Sequence, residues 1–219
     1  GRLDKREDYK GHREVLAAWP EVLASEPRAK LWIVGDGDLR DELEAIARQT
    51  AIAKSVTFFG KVTIEERDRL LMSCRCLAMP SRGEGFGLVY LEAMRVGRPC
   101  LVSTVDAGRE VVNPPEAGIA VDIEDVDATA AALVDLTRDG ARWETWSANA
   151  RARYEREFTA AHFQQRLADA IAQLEQIDAA THEVAFVSSR GACVVDTDGA
   201  VACAAEDADD ASLREQLRA

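Results

Sequence analysis

Two carboxylates eight residues apart, with three alternating glycines around the first, form the most chemically suggestive stretch of this chain: Pro80-Ser81-Arg82-Gly83-Glu84-Gly85-Phe86-Gly87-Leu88-Val89-Tyr90-Leu91-Glu92-Ala93-Met94. Glycines at 83, 85 and 87 let backbone approach a ligand closely and expose N–H groups. A helix predicted to begin at about Gly87 sets its positive end directly behind them, so a diphosphate is the natural guest. Glu84, in the loop, and Glu92, in the second helical turn, would repel phosphate. Carboxylates in such places suit hydroxyls, whose hydrogen bonds they accept. The pattern describes a ligand with phosphates in the middle and polyols on both sides, which is a nucleotide-sugar. The plainer alternative is a glycine-rich turn carrying two solvated glutamates.

A diphosphate needs cations, and the start of the chain offers them. Arg2 would sit at the end of a strand whose body is missing, and Lys10 just before the first helix, in Tyr9-Lys10-Gly11-His12. At such loop edges they are placed to neutralise phosphate, although most Arg and Lys residues are merely solvated. His12 reads equally as a ligand contact or as helix-start polarity. The net charge of -12 excludes nucleic acid as a partner but leaves room for a small phosphorylated ligand. Asp36-Gly37-Asp38 imitates an Asp-x-Asp metal motif. Here it closes an apolar run and opens a helix that Asp38 is predicted to cap. No metal is expected.

The elements that must position these groups alternate. Short apolar runs, Leu31–Val34, Val56–Phe59, Cys76–Met79, Cys100–Val102 and Ile119–Val121, read as strands covered on both faces. Helices are predicted between them: from near Gly11 to before Pro27, one carrying Leu39, Leu43, Ile46 and Ala47, a short one capped by Thr63 with Glu66 as capping box, Leu88 to Val96, and then 127–138, 141–156 and 160–177. Strand–helix alternation predicts an α/β fold, a Rossmann-like doubly wound parallel sheet with ligands at the strand carboxyl ends.

Hydrophobic residues make up 47% of the chain and charged residues 30%, the balance of a soluble globular protein. No run approaches the roughly 20 apolar residues of a membrane span. Opening at Gly1-Arg2-Leu3 without Met or leader, the sequence reads as a piece of something longer. Five cysteines, an odd number without regular spacing, suit a reducing cytosol, and Cys74 and Cys76 read as free thiols sharing a sheet face. Two regions are expected: a nucleotide-sugar domain over 1–178 and a tail or truncated start of another segment over 179–219. In the tail, Val184–Val187 reads as a strand and Asp196–Gly199 as a hairpin turn that would set Cys193 opposite Cys203.

Arg2…Lys10-Gly11, Val34-Gly35-Asp36-Gly37, Phe58-Phe59-Gly60-Lys61-Val62, Pro80-Ser81…Glu84-Gly85-Phe86-Gly87…Glu92-Ala93 and Gly97-Arg98-Pro99 follow in order. Together they resemble the C-terminal, donor-binding domain of the family 4 retaining glycosyltransferases of GT-B fold, over about residues 1–178. The resemblance implies that Arg2 and Lys10 bind the donor diphosphate and stabilise the leaving nucleotide. Glu84 would contact the sugar, with the backbone of Gly85, Phe86 and Gly87 near sugar and phosphate. Leu88 would lie by the ribose, Glu92 would hold the ribose hydroxyls, and the Val62 backbone would meet the base. The donor is expected to be a UDP- or GDP-sugar and the chemistry a metal-free hexosyl transfer. A whole enzyme of this kind has a further N-terminal acceptor domain, absent here, so this chain alone is expected to transfer nothing. Many relatives build polysaccharides or glycolipids at a membrane's cytoplasmic face, which implies a cytoplasmic enzyme with peripheral membrane association. Two alternatives stay open: the same architecture as an epimerase or glycogen-synthase-like polymerase, and a truncated non-catalytic binding or interaction module.

Overall fold

Strand Cys100–Ser103 (β4) is buried along its whole length, and its alternate residues look in opposite directions. Leu101 joins one apolar cluster while Cys100 and Val102 join another, as the two-residue period of a strand requires. Both faces of the sheet are therefore covered, which is why its strands read as unbroken apolar runs.

The computed structural model describes residues 1–181, 184–188, 191–195 and 201–204, with side-chain surroundings through 174. It divides into two compact units, Gly1–Thr159 and Ala160–Ala219. The first unit runs through a 3-10 helix (Lys5–Lys10), α1 (His12–Ser25), β1 (Leu31–Val34), α2 (Arg40–Gln49), β2 (Val56–Gly60), α3 (Ile64–Ser73), β3 (Leu77–Ala78) and α4 (Leu88–Met94). After β4 come α5 (Gly108–Val112), β5 (Gly118–Val121), α6 (Val126–Thr137) and α7 (Ala141–Glu157). β1 and β2 pair in parallel, and β3, β4 and β5 form a second parallel group in that order. The larger cluster joins α1, α2 and β1 to α6 around Trp19, Leu43, Leu133 and Leu136, so one core serves both groups of strands. The smaller gathers α4, α5 and α7 on the other face around Tyr90, Met94 and Val112.

Residues 1–3 lie alongside the end of β1. The Gly1 amine donates to Val34 O (2.8 Å) and Leu3 N–H to Asp36 O (3.0 Å), the evenly advancing pattern of a parallel ladder. Gly35 makes this approach possible, because a Cβ there would stand 1.6 Å from Gly1 O. Leu3 is fully buried as a result, and the backbone on either side of Arg2 is fixed.

The predicted helices and strands are present with end shifts of a few residues. Thr63 and Glu66 form the full capping box at the start of α3. Asp38 does not cap α2. Leu39, in helical conformation, occupies that position, and the Asp38 carboxylate accepts from Lys5 N–H at 2.8 Å, fastening the 3-10 helix. β3 is shorter than predicted and excludes Cys76, while Cys74 ends α3, so the two thiols share no strand face. Both are free, as is Cys100, and burial pushes the Cys76 thiol up to about 12.

The second unit comprises α8 (Ala160–Thr181) and an antiparallel sheet of β6 (Val184–Ser188), β7 (Gly191–Val195) and β8 (Val201–Ala204). Its register sets Cys193 opposite Cys203, and the predicted turn at 196–199 lies outside the described residues. On α8, Phe163, Leu167, Ile171 and Leu174 are exposed.

Candidate functional site

Because the strands of each group are parallel, the loops that follow them open on a common edge, the usual place for a ligand in this fold. The loop after β3 carries Glu84. Its base is anchored: Ser81 is fully buried and its hydroxyl accepts from Gly83 N–H at 3.2 Å. Ser103 Oγ, at the end of β4, donates to Ser81 O. The tip is braced by the loop after β4, where Asp106 Oδ2 accepts from Glu84 N–H (3.4 Å) and Ala107 N–H donates to Glu84 O (3.3 Å). Burial raises the Asp106 carboxyl above its ordinary range.

Gly87 turns this loop into α4 with φ of +82°, a conformation that favours glycine. Space forbids a side chain there too, since a Cβ would stand 2.3 Å from the Tyr90 ring. Tyr90 is fully buried and donates to Met79 O at 2.7 Å, and burial raises its hydroxyl pKa. Gly85 differs: a Cβ added to it would meet nothing within 4 Å. The Phe86 ring packs edge-on against Phe158, 6.2 Å away, leaving its backbone to the loop. Leu88 is 68% exposed.

The chain start docks onto this loop. Arg82 N–H donates to Tyr9 O (2.8 Å), and its guanidinium pairs with Glu14 of α1 (2.7 Å). Gly11 lies so close to Pro80 that a Cβ would fall 2.6 Å from the Pro80 carbonyl. Lys10 is thereby brought beside the glycine loop, with its side chain 11% exposed, whereas that of Arg2 is 77% exposed. One carboxylate touches both cations: Glu7 Oε1 pairs with Arg2, and Oε2 accepts from Lys10 Nζ. The hydrogen bond from Lys10 holds the Glu7 carboxyl below the ordinary carboxylate range. His12, just behind, has its Nδ1 buried without a partner, and burial together with nearby positive charge lowers its pKa to about 4.

A third loop completes the arrangement. Val62, half-buried, precedes the Thr63 cap of α3, and the same helix sends Arg67 Nη1 to Glu92 Oε1 at 2.6 Å. Arg67 and Arg95 also share Asp68, at 2.9 and 2.6 Å. Glu92 is thus bound to α3, and its negative charge is felt at the Gly1 amine.

The geometry therefore joins Lys10 to the Glu84 loop and Val62 to Glu92 through α3. Asp36 and Asp38 are not brought together as metal ligands: Asp36 accepts from Gly37 N–H and pairs with Arg40, and Asp38 holds Lys5. Among the described residues no three His, Cys, Asp or Glu side chains form a metal-binding group. Sequence reasoning missed Glu7, Arg67 and Asp106. Their types were visible, but each acts on a group supplied by another loop or another turn, and no local pattern marks that.

These features define a parallel α/β domain with a glycine-rich loop at its strand carboxyl ends. Residues 1–139 match the family described as glycosyl transferases group 1, and the chain belongs to that family. It is 33% identical over 157 residues to a GDP-mannose-dependent monoacylated alpha-(1-6)-phosphatidylinositol monomannoside mannosyltransferase of Corynebacterium glutamicum, covering 68% of this chain and 40% of that protein. It is 36% identical over 140 residues to a phosphatidyl-myo-inositol mannosyltransferase of Mycolicibacterium smegmatis, covering 64% of this chain and 35% of the other. The chain thus spans about two fifths of the length of these curated relatives. Among solved structures, sucrose-phosphate synthase from Thermosynechococcus elongatus superimposes with a TM-score of 0.70 at 28% identity, over 81% of this chain and 44% of that one. Anabaena Alr3699/HepE, in complex with UDP and glucose, gives 0.67 at 22%, over 76% and 46%. The fold is that of GT-B glycosyltransferases.

Proposed function

We propose that this chain is the donor-binding half of a retaining glycosyltransferase, holding a nucleotide-diphosphate-sugar between the Lys10 and Glu84 loops. One observation carries the reading: Arg82 N–H to Tyr9 O joins the cation-bearing start of the chain to the glycine loop, so phosphate-seeking and hydroxyl-seeking groups share one edge. Gly85 supports it, because its own fold leaves the space beside that glycine open.

In this reading Arg2 and Lys10 hold the diphosphate, Glu84 and the amides of Gly85, Phe86 and Gly87 address the sugar and its phosphate, and Leu88 lines the ribose. Glu92, held by Arg67, receives the ribose hydroxyls, and the Val62 backbone meets the base. As the bond from the anomeric carbon to the diphosphate breaks, negative charge collects on the leaving oxygens. Two cations already facing them stabilise that charge more than the ground state. The leaving diphosphate accepts the acceptor's proton on the same face, so configuration is retained and no metal is required. The relatives' names make GDP-mannose the first donor to test, and the UDP complex of the Anabaena structure makes UDP-sugars the second. Acceptor binding, and with it transfer, belongs to a further domain of the whole enzyme acting at the cytoplasmic membrane face.

Calorimetric titration of the chain with UDP, GDP, ADP and their sugar conjugates tests this. One nucleotide class should bind, and Lys10→Ala and Glu92→Ala should each weaken it by about tenfold or more, the usual effect of losing a charge-assisted hydrogen bond. Binding unchanged in both variants, or no binding of any nucleotide, would refute the reading.

A further inference from the structure

The mechanism above gives no task to Glu7, yet among the described residues it is the sole ion-pair partner of both Arg2 and Lys10. A carboxylate that offers one oxygen to each of two cations does what two phosphoryl oxygens would do in its place. Its backbone is held without help from the cations. Glu7 breaks the 3-10 helix with φ of -111° and ψ of 22°, and its N–H donates to Asp4 O at 2.8 Å. Its side chain is 14% exposed, covered largely by the two cations it meets.

We propose that Glu7 is a resident anion. It neutralises Arg2 and Lys10 while the site is empty, must yield them to an incoming diphosphate, and hastens the departure of the nucleoside diphosphate product. The inference rests on the assignment of Arg2 and Lys10 to the diphosphate. Two effects of removing the Glu7 charge oppose each other. Repulsion between one carboxylate and a diphosphate a few ångströms away weakens binding by about tenfold to thirtyfold. Loss of orientation of an exposed arginine on removing its partner weakens it by about threefold to fivefold. Lys10, its side chain 11% exposed and its ammonium 5.9 Å from the Tyr9 ring, has less room to swing away. Repulsion therefore wins.

The experiment titrates wild type, Glu7→Gln, Glu7→Asp and Lys10→Ala with GDP, UDP, GMP, UMP and inorganic pyrophosphate, with melting curves confirming folding. Glu7→Gln should bind whichever nucleoside diphosphate the wild type prefers about fivefold more tightly, and the monophosphate should gain less because it carries less charge. Glu7→Asp, too short to reach both cations, should fall between and serves if the Gln variant does not fold. Equal or weaker diphosphate binding by folded Glu7→Gln, with Lys10→Ala still impaired, would overturn this inference alone. Lys10→Ala binding as tightly as wild type, or no binding by any of the chains, would overturn the parent assignment and this inference together.

Discussion

Gly87 is where the glycine loop and the buried core meet, and replacing it with alanine separates two costs that can be worked out beforehand. The left-handed backbone at φ of +82° costs alanine about 1–2 kcal/mol. The new methyl would also stand 2.3 and 2.4 Å from two carbons of the Tyr90 ring. That ring has little room to retreat: it is fully buried, anchored by its hydroxyl to Met79 O, and packed so closely on Gly108 that a Cβ there would stand 2.5 Å from Cε2, one of the same two carbons. Overpacking of this kind adds about 1–3 kcal/mol, so Gly87→Ala should lose about 2–5 kcal/mol in all. A double-mutant cycle isolates the second term. In a Tyr90→Leu background the ring is gone, and Gly87→Ala should cost only the backbone term, about 1–2 kcal/mol. Urea unfolding of the four chains, followed by circular dichroism, measures the coupling, expected at about 1–3 kcal/mol. Additivity within about 0.5 kcal/mol would show that the methyl and the ring do not compete, and the account of this turn would fail.

Two further outcomes follow from buried polar groups. His12 has a folded pKa of about 4, below its ordinary 6.5, so between these values the unfolded chain binds more protons and stability falls as pH falls. Urea unfolding at pH 7 and pH 5 should show about 1–2 kcal/mol of this loss in wild type and much less of it in His12→Gln, and equal losses in both would exclude His12 as the source. Arg153, 8% exposed, donates to the last carbonyls of α5, Glu110 O and Val111 O, and pairs with Glu116 and Glu157. Arg153→Met should cost about 2–4 kcal/mol through those stranded carbonyls, and a cost below about 1 kcal/mol would mean that water reaches them.

Much of this was legible from residue order because the governing interactions are local. A capping box needs only Thr63 and Glu66 three residues apart, and the two-sided burial of β4 follows from its apolar run. The glycine loop and the Glu84–Glu92 pair stand in a single stretch of chain for the same reason. The failures are non-local. Asp38 has the right type and place to cap α2, but its carboxylate is taken by Lys5, 33 residues away. Helix α5 has five residues, too few to show a helical period, and is recognisable mainly by what it packs on. Arg67 serves Glu92 from another helix, and Glu7 matters because the first ten residues double back on themselves. No spacing rule encodes either.

Gly85 and Gly87, two residues apart, answer to different constraints. At 87 the interior alone demands glycine, so any chain that must merely fold would keep it. At 85 the interior demands nothing, and folding would tolerate a side chain that points into open space. On the donor-site reading proposed above, a lineage released from its ligand would over many generations let position 85 drift while position 87 stayed fixed. On that reading the pair is a built-in record of use, in which variation at 85 against constancy at 87 marks descendants that have kept the fold and given up the task.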